Sequence, residues 1–208
     1  MEVTGNSISE ALHSLAPQLD RESRGYHMRR DLHSLHCWTW QAVMMHVIPF
    51  LPGGRVVDLG CGTGAWLLNL WQYGRRELIG TDSNAGLITI SRALFSTFSA
   101  EAVFHHARDL EIPDGAAQLI TAFDWLYGAK MEGSQLTPER FAEHAVGHLA
   151  IGGYLAFDWY IDEAERKSSR HYICDGDSVN SSMLSLYLRM TREFNGRKIV
   201  LFVYRRDR

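Results

Sequence analysis

The run Val56-Val57-Asp58-Leu59-Gly60-Cys61-Gly62-Thr63-Gly64-Ala65-Trp66 constrains the fold of this chain more than any other stretch. Arg55–Leu59 is short, apolar and β-branched, and reads as a strand. Three glycines at alternate positions follow. They permit positive φ and let the backbone come close to a ligand. Ala65–Trp71 then reads as a helix, whose first N–H groups are unpaired within the helix and face whatever the turn holds. An ordinary strand-to-helix turn needs one such glycine. Three of them predict a binding loop.

The rest of the chain alternates in the same sense. Strands are predicted at Glu77–Thr81, Ala102–His106, Gln118–Phe123 and Gly153–Trp159, with helices near 84–98 and 138–150. The second of these helices opens with Thr137 as N-cap and Pro138 in its first turn. Short strands alternating with helices imply right-handed crossovers and a doubly wound, mostly parallel α/β sheet of Rossmann-like type. The end departs from this pattern. Met183–Phe194 and Lys198–Tyr204 are both strand-like, and Asn195-Gly196 between them favours a tight antiparallel hairpin. Ahead of the first strand, Ile8, Leu12 and Leu15 stand at helical spacing before Pro17. A second helical pattern runs from Leu32 through Trp40 to Ile48 and stops at Leu51-Pro52-Gly53-Gly54. The expected division is a helical segment over 1–50 and a binding domain over 51–208.

Composition narrows the class. With 208 residues, 46% hydrophobic and 22% charged, the chain can build a full core. No apolar run approaches the roughly 18–20 residues of a membrane span, and no secretion signal is read in Met1–Asp20. The three cysteines, Cys37, Cys61 and Cys174, form no CxxC pair, which supports neither a disulfide framework nor a structural zinc. A cytoplasmic protein with reduced thiols is expected. A net charge of −3 argues against a general nucleic-acid binder. Between Leu186 and Arg208 seven basic residues face two acidic ones. They read as a solvated, charge-protected sheet edge, with contact to an anionic partner as the other reading.

Two ligand classes suit the glycine loop. Gly60, Gly62 and Ala65 satisfy the dinucleotide pattern G-x-G-x-x-G/A. Asp82, closing the second strand, stands where an acid accepts both hydroxyls of a ribose. Asp58 before the first glycine and the third glycine at Gly64 separate the classes. With them, Asp58-Leu59-Gly60-Cys61-Gly62-Thr63-Gly64 resembles the first motif of the class I S-adenosylmethionine-dependent methyltransferases. Asp82 matches that family's ribose-binding acid. Asp109–Gly115 resembles the segment whose first acid meets the adenine, although Arg108 stands where the family has glycine. Pro138–Phe141 through Leu149–Leu155 resembles its helix, Gly-Gly turn and fifth strand, and the hairpin its sixth and seventh strands.

The resemblance implies a seven-stranded sheet over roughly 53–208, an N-terminal helical lid, and S-adenosylmethionine as cofactor. It also implies cofactor contacts from Asp58, Gly60, Cys61, Gly62, Gly64, Asp82, Ser83, Asp109, Leu110, Phe123 and Trp125, with Tyr26 and Arg30 from the lid. For Cys61 a small packing residue is the plainer reading, and for Asp82 helix capping is the rival one. Methyl transfer from a sulfonium is an in-line displacement, so positioning dominates and no obligatory catalytic signature is expected. Candidate bases and substrate contacts are His27, His33, Tyr127 and Tyr160, with Trp125 and Trp159 as aromatic walls or a cage for a cation. No metal is expected, since Asp124 and Asp158 lack a third ligand. The expected activity is methyl transfer to a small molecule by a monomer or homodimer, with no nucleic-acid or membrane partner. The alternative is attack at another carbon of the same cofactor, giving cyclisation or aminocarboxypropyl transfer with release of methylthioadenosine.

Overall fold

A computed structural model describes residues 4–18, 38–107, 111–123, 137–161, 183–194 and 197–208. Helix α1 (Gly5–Leu15) starts at a reciprocal cap: the Thr4 hydroxyl accepts from the Ser7 N–H, and Ser7 Oγ accepts from the Thr4 N–H. It is followed by α2 (Trp38–His46), β1 (Val56–Leu59), α3 (Ala65–Gln72), β2 (Leu78–Asp82), α4 (Ala85–Thr97) and β3 (Val103–His106). Then come β4 (Ala117–Ala122), α5 (Pro138–Val146), β5 (Leu149–Ile161), β6 (Leu184–Phe194) and β7 (Arg197–Arg206). Seven strands form one sheet in the order β3-β2-β1-β4-β5-β7-β6. The expected α/β class, with parallel strands ending in an antiparallel hairpin, is what the chain adopts.

The chain divides into two compact units, Met1–Glu111 and Ile112–Arg208. In the first, β1 pairs parallel with β2 and β2 with β3, which sets Asp58 opposite Gly80 and Asp82 opposite His106. β1 is buried along its whole length, as a strand covered on both faces must be. Gly80 is where space decides the residue: a Cβ there would lie 2.8 Å from both Cys61 Sγ and the Phe104 ring. Helix α1 lies against α4, with Ile8 and Leu12 fully buried. Trp40 of α2 packs on Trp66 of α3 with ring centroids 5.2 Å apart. Arg75, past the end of α3, donates to the carbonyls of Ile48, Leu51 and Pro52 and fixes the approach to β1.

In the second unit β4 pairs parallel with β5, and β5 and β6 each pair antiparallel with β7. Its core centres on Phe157, edge-on to Phe141 of α5 at 5.4 Å and stacked on Tyr204 of β7 at 6.0 Å. The hairpin register brings Phe194 opposite Arg197, so Asn195 and Gly196, outside the described residues, are the only connection between the strands. One expectation is corrected here. The helix predicted to reach residue 150 ends at Val146, and β5 begins at Leu149, not at Gly153. Ala117 pairs with Leu149 and Leu119 with Tyr154, so one residue of β4 faces four of β5 across a bulge. Gly152, at φ +79, makes the bend. A Cβ on Gly153 would stand 2.9 Å from the carbonyl oxygens of Ala117 and Ala150. The Gly-Gly pair serves a bulge inside the strand, where sequence reading had placed the turn that starts it.

Candidate functional site

The site in the first unit is built from the end of β1, the loop to α3 and the end of β2. Gly60, Gly62 and Gly64 have φ of 67°, 57° and 77°, all left-handed. Non-glycine residues adopt this region at a cost of about 1–2 kcal/mol each. Three such residues in five make a tight turn between β1 and α3. The loop is tied to its neighbour: Cys61 N–H donates to the Thr81 carbonyl, and Gly64 N–H to the Cys61 carbonyl, both at 2.9 Å. Gly64 is the N-cap of α3, so the first turn of that helix opens onto the glycine loop.

Asp82 closes the arrangement. Its carboxylate is buried, and its two oxygens accept different backbone donors: Oδ2 takes the Gly62 N–H at 2.9 Å and Oδ1 the Asn84 N–H at 2.8 Å. The rival reading of Asp82 as a helix cap is answered by Asn84, which caps α4 by accepting from Gly86 and Leu87. Asp82 is thereby turned toward the glycine loop. A carboxylate has about four acceptor directions, so the acid that orders the loop also suits the hydroxyls of a sugar. Ser83 is exposed, and its carbonyl oxygen is 2.9 Å from His106 Nε2, so the chain after Asp82 is held by β3.

The sequence-based candidates distribute as follows. Gly60, Cys61, Gly62, Gly64, Asp82 and Ser83 come together through the loop and the end of β2, and Asp58 lies buried at the end of β1. Cys61 Sγ packs toward Gly80, as a small packing residue would. Phe123 is buried just past β4 in the second unit, where Asp158 and Trp159 are also buried on β5. Tyr26, His27, Arg30, His33, Asp109, Leu110, Trp125 and Tyr127 lie outside the described residues, as does the Tyr160 side chain. Two contributors were missed. Asn84 carries an ordinary capping signal. Ser91, a fully buried serine on α4, donates its hydroxyl toward the Gly62 carbonyl at 2.9 Å. A polar residue amid Leu87, Ile88, Ile90, Leu94 and Phe95 on an apolar face was the available sign.

A parallel sheet with a left-handed glycine turn at the first strand and a buried acid at the second defines a Rossmann-like nucleoside-binding domain. Residues 56–153 match the family model described as a methyltransferase domain. That stretch is similar to the class I S-adenosylmethionine-dependent methyltransferases, and the cofactor such a domain implies is S-adenosylmethionine. Solved structures agree on the fold. The magnesium protoporphyrin IX methyltransferase of Synechocystis PCC 6803, solved with the cofactor bound, is 16% identical at a TM-score of 0.65, over 90% of this chain and 85% of that one. The N-methyltransferase NodS of Bradyrhizobium japonicum WM9 is 16% identical at a TM-score of 0.61, over 81% and 94%. The [4+2]-cyclase SpnF is 13% identical at a TM-score of 0.63, over 84% and 82%. A comparison with curated proteins gave no match. Among the described residues, no helix is long and apolar enough to cross a membrane.

Proposed function

We propose that this chain is an S-adenosylmethionine-dependent methyltransferase acting on a small molecule. The observation that carries the reading is the hydrogen bond from the Gly62 N–H to Asp82, which joins the glycine turn and the ribose-type acid into one preformed cradle. When bound, the cofactor supplies a methyl group on a sulfonium sulfur, open to in-line displacement by a nucleophile. The chain's part is to hold and orient. Asp82 accepts the ribose hydroxyls, the backbone of Gly60–Gly64 lines the sugar and amino-acid portion, and Asp58 orders the loop or meets the ammonium. Asp109, Leu110, Phe123 and Trp125 are the proposed adenine contacts. For the substrate end we propose Tyr127 and Tyr160, with His27 or His33 as base. Tyr26 and Arg30, from a lid within residues 1–50, complete the cofactor contacts. A small acceptor is supported by neighbours of the same fold, among them a magnesium protoporphyrin IX methyltransferase.

Titration calorimetry with S-adenosylhomocysteine tests the cradle. Incubation of the protein with labelled cofactor and a small-molecule cell extract tests the reaction. Transfer of label from the methyl group, with S-adenosylhomocysteine as by-product, is expected. The alternative use of the cofactor gives methylthioadenosine instead. The similarity to a cyclase of the same fold makes that by-product measurement worth running on every active fraction. Absence of any binding would overturn the proposal.

A further inference from the structure

We infer that Ser91 is a positioning residue for cofactor binding, holding the Gly62 carbonyl while Asp82 holds the Gly62 N–H; this rests on the reading above. Ser91 sits in the middle of α4 and is fully buried. Its Oγ lies 2.9 Å from two carbonyl oxygens, that of Leu87 one turn earlier and that of Gly62 in the loop. A hydroxyl carries a single proton. A mid-helix serine ordinarily gives it to the carbonyl four residues back. The Leu87 carbonyl already belongs to the backbone ladder of α4, so the hydroxyl adds little there. The Gly62 carbonyl is in a turn and buried, and a buried backbone acceptor needs a donor. Its neighbour Cys61 offers only a thiol at 3.9 Å. The hydroxyl therefore does more for the loop than for the helix.

The consequence is geometric. Gly62 donates its N–H to Asp82 and accepts at its carbonyl from Ser91, so both polar ends of one residue are pinned, one by β2 and one by α4. The left-handed conformation of Gly62, φ 57°, is thereby fixed before any ligand arrives. Packing closes the same spot: a Cβ on Gly64 would come within 3.3 Å of Ser91 Cβ and 3.2 Å of the Phe104 ring. Rigidity prepared in the free protein raises affinity by removing the ordering cost from the binding step. Ser91 needs no contact with the ligand to do this.

The test uses the full chain and S-adenosylhomocysteine as the probe. Ser91→Ala removes the donor and keeps the packing volume nearly intact, and the expected result is about ten- to thirtyfold weaker binding by calorimetry. Ser91→Cys, similar in size with a weaker donor, should fall between the two. A merely structural role is separated by Ile90→Val, a buried change on the same helix that lowers melting temperature without touching the loop. It should bind as the wild type does. If Ser91→Ala binds within twofold of the wild type, or if Ile90→Val weakens binding as much at equal loss of melting temperature, the inference is overturned while the cofactor reading stands. If the wild type itself does not bind S-adenosylhomocysteine, both fall together.

Discussion

Asp82→Ala is the substitution that bears most directly on the cradle. In the free protein it removes an acceptor from two backbone donors, Gly62 N–H at 2.9 Å and Asn84 N–H at 2.8 Å. Asp82 is 8% exposed, so the Gly62 amide would be left with little access to water. A buried donor stripped of its partner costs about 1–3 kcal/mol. In a protein of this size that corresponds to a melting temperature lower by roughly 2–10 °C. Binding suffers separately. Loss of two hydroxyl bonds to a charged acceptor is worth roughly 1.5–3 kcal/mol, or about tenfold to a hundredfold in the dissociation constant for S-adenosylhomocysteine. Asp82→Asn keeps shape and one acceptor, but its amide must meet one of the two N–H donors head-on. Its affinity should therefore fall between alanine and wild type. The assay is calorimetry on variants shown to be folded by circular dichroism. If folded Asp82→Ala binds with unchanged affinity, Asp82 has no place in the site, whatever its effect on stability.

Two further predictions follow from space in the same region. Gly62→Val places a β-branched side chain at φ 57°, strained by about 1–2 kcal/mol, and fills the turn; calorimetry should detect no binding by a protein that still melts cooperatively, and retained tight binding would mean that the loop does not touch the ligand. Gly80→Ala drives a methyl group to 2.8 Å from Cys61 Sγ and the Phe104 ring, and overpacking of this kind destabilises by about 1–3 kcal/mol. A thermal melt should show the loss and Cys61→Ala in the same molecule should recover part of it; an unchanged melting temperature would mean that β2 yields freely there.

What could be read in advance was what local rules govern. The glycine run, the acid at the end of the second strand, Thr137-Pro138 before a helix and Asn195-Gly196 between strands each act over a few residues, and each announces its element. The β5 bulge was not legible, because Leu149-Ala150 continues an apolar helical pattern as well as it begins a strand. Pairing of Leu149 with Ala117, a contact between distant parts of the chain, decides the matter. Ser91 was missed for the same reason: its importance lies in a carbonyl 29 positions away. Asp82 lay between these cases. Its position suggested a ribose acid or a helix cap; the structure gives the cap to Asn84 and shows Asp82 bonded to Gly62, twenty positions away.

The N-terminal quarter carries the remaining prediction. Tyr26, His27, Arg29, Arg30, His33 and His36 crowd one short span of sequence, between two anchored helices. The described flanks show where its ends are held. α1 lies against α4, the helix that follows Asp82, and α2 packs through Trp40 on α3, the helix that follows the glycine turn. Residues 19–37 thus connect anchors on the two helices that begin at the cradle, and a chain of that length reaches at most about 65 Å when extended. A nucleoside bound at the carboxyl ends of parallel strands is open to water unless something covers it, and methyl transfer benefits when water is excluded. Removal of residues 1–36 should therefore leave a domain that binds S-adenosylhomocysteine more weakly and turns over no substrate. The same truncation takes away α1 and its buried Ile8 and Leu12, so loss of binding alone does not distinguish a cover from a prop. Limited trypsin digestion of the intact chain does. Arg21, Arg24, Arg29 and Arg30 offer four cleavage sites within ten residues, and a cover that closes on the ligand must slow their cleavage. Saturating S-adenosylhomocysteine is expected to protect them several-fold. Equal digestion rates with and without it would rule the cover out, and with it the claim of His27 and His33 to the chemistry.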